Sequence, residues 1–197
     1  MDIYDLTNYD FKNYNYCERA LKAINKTKTL EKAIRIISII LVVFTLIKYL
    51  KTDNFSYVIL IFALIILLRF IEYKNYKKIQ LTLSKEDLDA FHDFTYYFYC
   101  KKRSKTTHSM HLFDLIYYNF EKKNYETVLK LLDLLDMTNK NLESRLFLYY
   151  YYYAKSYDIL GFKEEAKEYL TLLNDLVKRK GLSKTSANIR GLKIVIE

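Results

Sequence analysis

Apolar positions along the chain follow two patterns. From Ile36 to Ile47 runs IISIILVVFTLI, and from Phe55 to Leu68 runs FSYVILIFALIILL, neither interrupted by a charge nor carrying a polar stripe. Arg35 and Lys48 can snorkel outward from the first stretch, which widens it to roughly 18 residues over 33–50; Arg69, Phe70 and Ile71 extend the second to roughly 17. At about 1.5 Å per residue each reaches about 26 Å, slightly under a hydrocarbon thickness of about 30 Å. The alternative is a pair of buried helices in a soluble bundle. A chain this small has too little other apolar surface to enclose two helices that are apolar all round, so a membrane hairpin over 33–72 is expected. Only Lys51-Thr52-Asp53-Asn54 separates the spans. With some 33 residues ahead of the first span and no small-residue cleavage site after it, a secretory signal peptide is not expected.

The second pattern is the helical period. After residue 73 it predicts helices near 84–99, 108–121, 124–137, 142–160, 162–179 and 184–195, with Ser84 as the N-cap and Asp87 as the first-turn acid of the first of them. Val128, Leu131, Leu132 and Leu135 mark one helix face, and the five-tyrosine run Tyr149–Tyr153 lies inside a longer periodic segment. In the mixed segment 1–32, the stretch from Asp10 suggests a helix leading into the first span.

Composition narrows the class. The 197 residues include 51% hydrophobic and 28% charged residues, with no Pro, no Trp and only 3 Gly. So few turn-forming residues argue against a multi-stranded antiparallel sheet, and neither G-x-G-x-x-G nor a Walker A can be assembled. Cys17 and Cys100 are too few for a disulfide scaffold, which suits a reducing compartment. The net charge is +9. Residues 15–35 carry six Lys and Arg and residues 69–85 carry five, whereas the hairpin side has Lys48 and Lys51 alone. The positive-inside rule then expects an integral membrane protein with both termini cytoplasmic. The basic flanks near Lys22, Lys26 and Lys28 read either as an ordinary solvated face or as contacts to anionic lipid headgroups.

The segment Tyr153–Leu173, YAKSYDILGFKEEAKEYLTLL, carries Ala154, Tyr157, Gly161 and Ala166 at fixed spacing, with Leu170 and Leu173 beyond. That ladder resembles the tetratricopeptide repeat, in which small residues let paired helices approach. Asn119–Leu135 aligns more weakly 38 positions upstream: Lys123 stands for Gly161 and Val128 for Ala166, and neither unit has a closing proline. The resemblance covers residues 110–180. It implies a concave face, lined by the first helix of each unit, that binds peptides or proteins, with flanking helices as caps.

Other chemistry is weaker. His108, His111 and Asp114 share a helix face but lack a further ligand, so no metal is expected. Cys100 beside Lys101–Arg103 has no partner base in the sequence and reads as an inert thiol. The basic clusters 101–105 and 178–180 also fit helix C-termini, so no nucleic acid is expected. Glu164, Glu165 and Glu168 read as a solvated face rather than paired catalytic carboxylates.

The expected protein is all-α: a cytosolic basic segment 1–32, a membrane hairpin 33–72, and a cytosolic helical-repeat domain 73–197. It is expected to be a non-enzymatic interaction module without cofactors. Its partner would be a membrane protein or a cytosolic protein recruited to the membrane. Candidate contacts are Asn119, Tyr150, Tyr153 and Tyr157, although tyrosines at helical spacing more often make core. The alternative is an accessory subunit of a transport or secretion complex, or an immunity-type membrane protein, that acts through its spans. Ser38, Thr45, Ser56 and Ala63 would then be the close-contact positions.

Overall fold

The computed structural model describes residues 14–52, 55–101, 105–135, 137, 145–180, 188–189 and 192–193. Among them are seven helices: α1 (Glu18–Thr52), α2 (Ser56–Glu86), α3 (Leu88–Cys100), α4 (Lys105–Glu121), α5 (Tyr125–Asp133), α6 (Leu146–Leu160) and α7 (Lys163–Lys180). The expected all-α class holds. The tail up to residue 13 and most of the expected C-terminal cap lie outside the described residues, as do Asp53 and Asn54 of the hairpin connection.

Of the expected helix 184–195, residues 188–189 and 192–193 are described, and they are strand rather than helix. There β1 (Asn188–Ile189) pairs antiparallel with β2 (Leu192–Lys193), Asn188 opposite Lys193. Gly191 would have stood in the middle of that helix, where it is unfavourable by about 1 kcal/mol relative to Ala.

The chain forms two compact units that divide between Phe98 and Tyr99. In the first, α1 and α2 pack antiparallel, with Arg19 at the start of α1 paired to Glu86 at the end of α2. Both helices run far beyond the apolar stretches. Their 35 and 31 residues correspond to about 52 and about 46 Å of helix. The seam between them follows a heptad alternation: buried Ala20, Ile24, Thr27, Ile34 and Thr45 on α1 are interleaved with half-buried Glu31, Ser38 and Leu41. Val58, Ile61, Ile65, Leu68 and Glu72 continue the same spacing on α2. Outside the seam the apolar stretches stay uncovered, and only 11% and 6% of the two most apolar windows are buried. Two helices are therefore long and apolar enough to cross a membrane, and outside the seam their apolar faces are exposed in this chain.

Asp87 turns the chain from α2 into α3. Its N–H donates to Leu83 O at 2.9 Å, closing α2, while its Oδ1 accepts the Ala90 N–H at 2.9 Å, capping α3. The expected cap, Ser84, is not the cap: α2 runs on through it to Glu86, Ser84 donates to Leu81 O, and the residue expected in the first turn, Asp87, caps α3 instead. α3 is held by side chains from both long helices: the Tyr76 ring of α2 meets Phe94 and Phe98 at 5.3 and 5.2 Å, and the Lys28 ammonium of α1 lies over the Tyr97 ring at 4.5 Å.

In the second unit each helix packs on the next in sequence, α4 on α5, α5 on α6 and α6 on α7. The turns between α4 and α5 and between α6 and α7 are the same structure. Among the described residues, Lys123 (φ 62°) and Gly161 (φ 89°) are the positive-φ residues. Lys123 N–H donates to Phe120 O and Asn124 N–H to Asn119 O; Gly161 N–H donates to Asp158 O and Phe162 N–H to Tyr157 O. Each pair is a Schellman closure, and the two stand 38 residues apart. Val128 and Ala166, also 38 apart, are buried just inside the following helices.

Candidate functional site

α6 carries the tyrosine run. Helical geometry distributes it over two sides, because residues four apart share a face. Tyr152 and its neighbour Tyr151 turn toward Phe120 of α4, at 4.9 and 5.9 Å, and so belong to the packing of the earlier hairpin. Tyr149, Tyr153 and Tyr157 form the other side. Tyr153 stacks on Tyr169 of α7 at 4.3 Å with only 9° between the planes, and Tyr157 lies 5.8 Å from both. Tyr149 meets Tyr153 edge-on at 4.9 Å, and Phe162 closes the row against Tyr157 at 6.0 Å.

Polar chemistry enters this stack through α5. The Tyr153 hydroxyl donates to Asp133 Oδ1 at the end of that helix. Burial raises the Tyr153 phenol far above its ordinary range, and the bond to Asp133 adds to the rise. Tyr169 is pushed up to about 12, first by burial and then by Tyr149, Tyr157 and nearby carboxylates. Tyr149 and Tyr157 move the same way for the same leading reason. These phenols hold their protons at neutral pH. The arrangement offers ring faces and hydroxyls beside carboxylates, which suits binding and gives no phenolate for nucleophilic or base chemistry.

The four sequence-derived positions are not equivalent. Tyr153 and Tyr157 lie in the stack, and Tyr150 is half-buried at its edge, 6.4 Å from Tyr169. Asn119 is buried at 3% exposure, its Nδ2 donating to Leu115 O at 2.9 Å and its Oδ1 accepting from Asn124 at 3.5 Å. It closes the α4 turn and presents no surface. Sequence reasoning missed Asp133 and Tyr169, which join Tyr153 only through the packing of α5 and α7 on α6. The one local signal was the i, i+4 spacing of Tyr149, Tyr153 and Tyr157.

A second polar cluster was also missed. Asp93 of α3 accepts hydrogen bonds from Tyr14 Oη (2.9 Å) and Cys17 N–H (2.7 Å) and pairs with His92 Nδ1 (3.1 Å). Burial alone would raise its pKa. The bonds from His92, the Cys17 amide and Tyr14 outweigh that and hold the carboxyl below its usual range. The Cys17 thiol is pushed up, chiefly by burial. This cluster ties the entry of α1 to α3.

Of the histidine candidates, His108 stacks on Tyr99 at 4.2 Å and His111 and Asp114 are buried. Among the described residues no group of three His, Cys, Asp or Glu side chains is placed to hold a metal ion. No protein-family model, curated protein or solved structure matches the chain.

Proposed function

We propose that this protein is a membrane-anchored, non-enzymatic interaction module. The hairpin α1–α2 spans the bilayer through residues 33–72, and both termini and the helical domain lie on the cytoplasmic side. The observation that carries this reading is the uncovered apolar surface of two paired helices, followed in the same chain by serial helix hairpins with a tyrosine face. Continuous helix beyond the apolar stretches lifts the following α3 about 20 Å from the hydrocarbon boundary. Confinement at a surface raises the effective concentration of a tethered partner and strengthens modest contacts.

The tetratricopeptide-like reading of 110–180 draws support from the paired Schellman turns at Lys123 and Gly161 and from the burial of Ala154 and Ala166 at 7% exposure each. Of the four small or weakly polar span residues, Ser56 and Ala63 are exposed, whereas Ser38 and Thr45 favour the anchor over the accessory-subunit alternative. Thr45 is buried in the α1–α2 seam, bonded to Leu41 O at 2.7 Å, and Ser38 is half-buried there, so both serve the hairpin itself.

The test is to exchange outward-facing Ile36, Ile40, Val43, Ile47, Phe62 and Ile66 for leucine, which leaves the seam intact, and to purify full-length wild type and variant from the native host in mild detergent. A stoichiometric protein partner recovered equally by both supports the module. Correct localisation with loss of the partner favours action through the spans, and no partner with either chain overturns both readings.

A further inference from the structure

We propose that the tyrosine face of α6 and α7, with its acidic rim, docks an arginine- or lysine-bearing segment of a protein partner. The proposal rests on the interaction-module reading and gives the partner its chemistry.

The two hairpins provide an internal comparison. At the positions that correspond to Tyr153 and Tyr169, 38 residues upstream, stand Leu115 and Leu131, at 0% and 1% exposure. Aliphatic side chains therefore suffice to pack a hairpin of this design. The second hairpin replaces them with stacked phenols, and Tyr157 replaces the turn-closing Asn119. The exchange adds ring faces and hydroxyls in excess of what the turn and the core require. Part of that surface stays open: Tyr149, Tyr150, Tyr157 and Tyr169 are half-buried, and Phe162 is 51% exposed.

Charge supplies the class of occupant. The chain as a whole is strongly basic, at +9, yet the carboxylates of Asp133, Glu165 and Glu168 all act on the Tyr157 phenol, and Asp133 and Glu168 act on that of Tyr169. All three acids are exposed. Lys163, at the start of α7, is tied to Asp158 at 2.7 Å. A guanidinium or ammonium group laid on the tyrosine face would meet ring quadrupoles below and carboxylates beside it, each favourable, while Phe162 offers an apolar neighbour. An acidic or phosphorylated partner segment would be repelled by the same rim.

The test uses the full chain in nonionic detergent and fluorescence anisotropy of two short labelled peptides, one alternating arginine with leucine and one alternating glutamate with leucine. The arginine peptide is expected to bind, more weakly as salt is raised, and the glutamate peptide not to bind. The triple change Asp133→Asn, Glu165→Gln and Glu168→Gln is expected to weaken binding by about tenfold, the sum of three modest exposed pairings. Tyr157→Leu, which keeps an apolar side chain, should weaken it about threefold and serves if the triple variant loses its helicity. Equal binding of both peptides, or no effect of either variant, overturns the proposal. So does a shift in oligomeric state on neutralising the rim without an effect on peptide binding, which would make a second copy the occupant. If a native partner is recovered as well by the triple variant as by wild type, this surface fails while the module reading survives; absence of any partner sinks that reading, and the peptide measurement still decides the surface.

Discussion

Lys123 and Gly161 occupy the same left-handed position in successive hairpins, 38 residues apart, and each donates its N–H to the carbonyl three residues back. Only Gly161 takes that conformation freely, because a Cβ in the left-handed region meets the backbone carbonyl and costs roughly 1–2 kcal/mol. Nothing lies within 4 Å of a Cβ built on Gly161, so any penalty there is conformational and not steric crowding. Lys123→Gly is therefore expected to stabilise the helical domain by about 1 kcal/mol, and Gly161→Ala to destabilise it by about the same amount. Urea titration of the two variants, followed by helicity, checks this. Shifts of the same sign in both would show that the turns are not equivalent.

The bond from Tyr153 to Asp133 makes the second prediction. Its phenol is raised by burial and by that bond, and Tyr169 is raised to about 12. For an acid whose folded pKa exceeds the unfolded value near 10, the stabilisation is complete below pH 10 and declines as pH rises above it. The domain should lose stability progressively above pH 10. Tyr153→Phe should lower stability by about 1–2 kcal/mol at neutral pH, since a hydrogen bond to a charged acceptor is lost while Asp133 stays hydrated. It should also leave unchanged the amplitude of phenolate absorbance that develops near pH 10 in the folded chain. A smaller amplitude in Tyr153→Phe would mean that Tyr153 titrates normally and its burial is not maintained.

Local signals account for what was legible in the sequence. The spans are uninterrupted apolar runs, and the α6–α7 turn is marked by Gly161 within a small-residue ladder. The α4–α5 turn is legible only by its alignment to that one, because Lys123 carries no conformational signature. The helix expected to lead into the first apolar stretch is continuous with it from Glu18, and α2 extends to Glu86 rather than stopping near residue 72, because the polar ends stabilise each other across a heptad seam that neither shows alone. Asp93 and Asp133 were invisible for a related reason. Apart from adjacent His92, their partners lie 76 to 79 and 20 positions away and arrive only with tertiary packing. Asn119 shows the converse, a polar residue whose value is entirely local.

The Asp93 cluster gives a third prediction, with the opposite pH sense. A carboxyl held below its unfolded value contributes stability that is present above about pH 4 and lost as pH falls through its folded value. The unit of α1, α2 and α3 should thus weaken in acid. Asp93→Asn should remove that acid sensitivity and cost about 2 kcal/mol at neutral pH, because the Cys17 amide and Tyr14 hydroxyl lose an ionised acceptor. With Cys100→Ser in the background, Asp93→Asn should also speed alkylation of Cys17, whose thiol is pushed up by burial and by Asp93 itself. Unchanged alkylation together with unchanged acid stability would show that the segment entering α1 is held by other contacts.

The fourth prediction concerns orientation. Eleven Lys and Arg flank the apolar stretches over residues 15–35 and 69–85, against Lys48 and Lys51 at the tip. Retention of cationic flanks on the cytoplasmic side then directs the tip outward. A membrane-impermeant maleimide added to intact cells should label Thr52→Cys in a background where Cys17 and Cys100 are serine. Because both native thiols are half-buried, their silence would not be decisive, so exposed Lys22→Cys and Lys78→Cys serve as the cytoplasmic probes. They should react only after permeabilisation. Labelling of Lys78→Cys in intact cells, with Thr52→Cys protected, would invert the topology and place the helical domain and its tyrosine face outside the cell. Labelling of all three without permeabilisation would mean that α1 and α2 do not span the membrane at all.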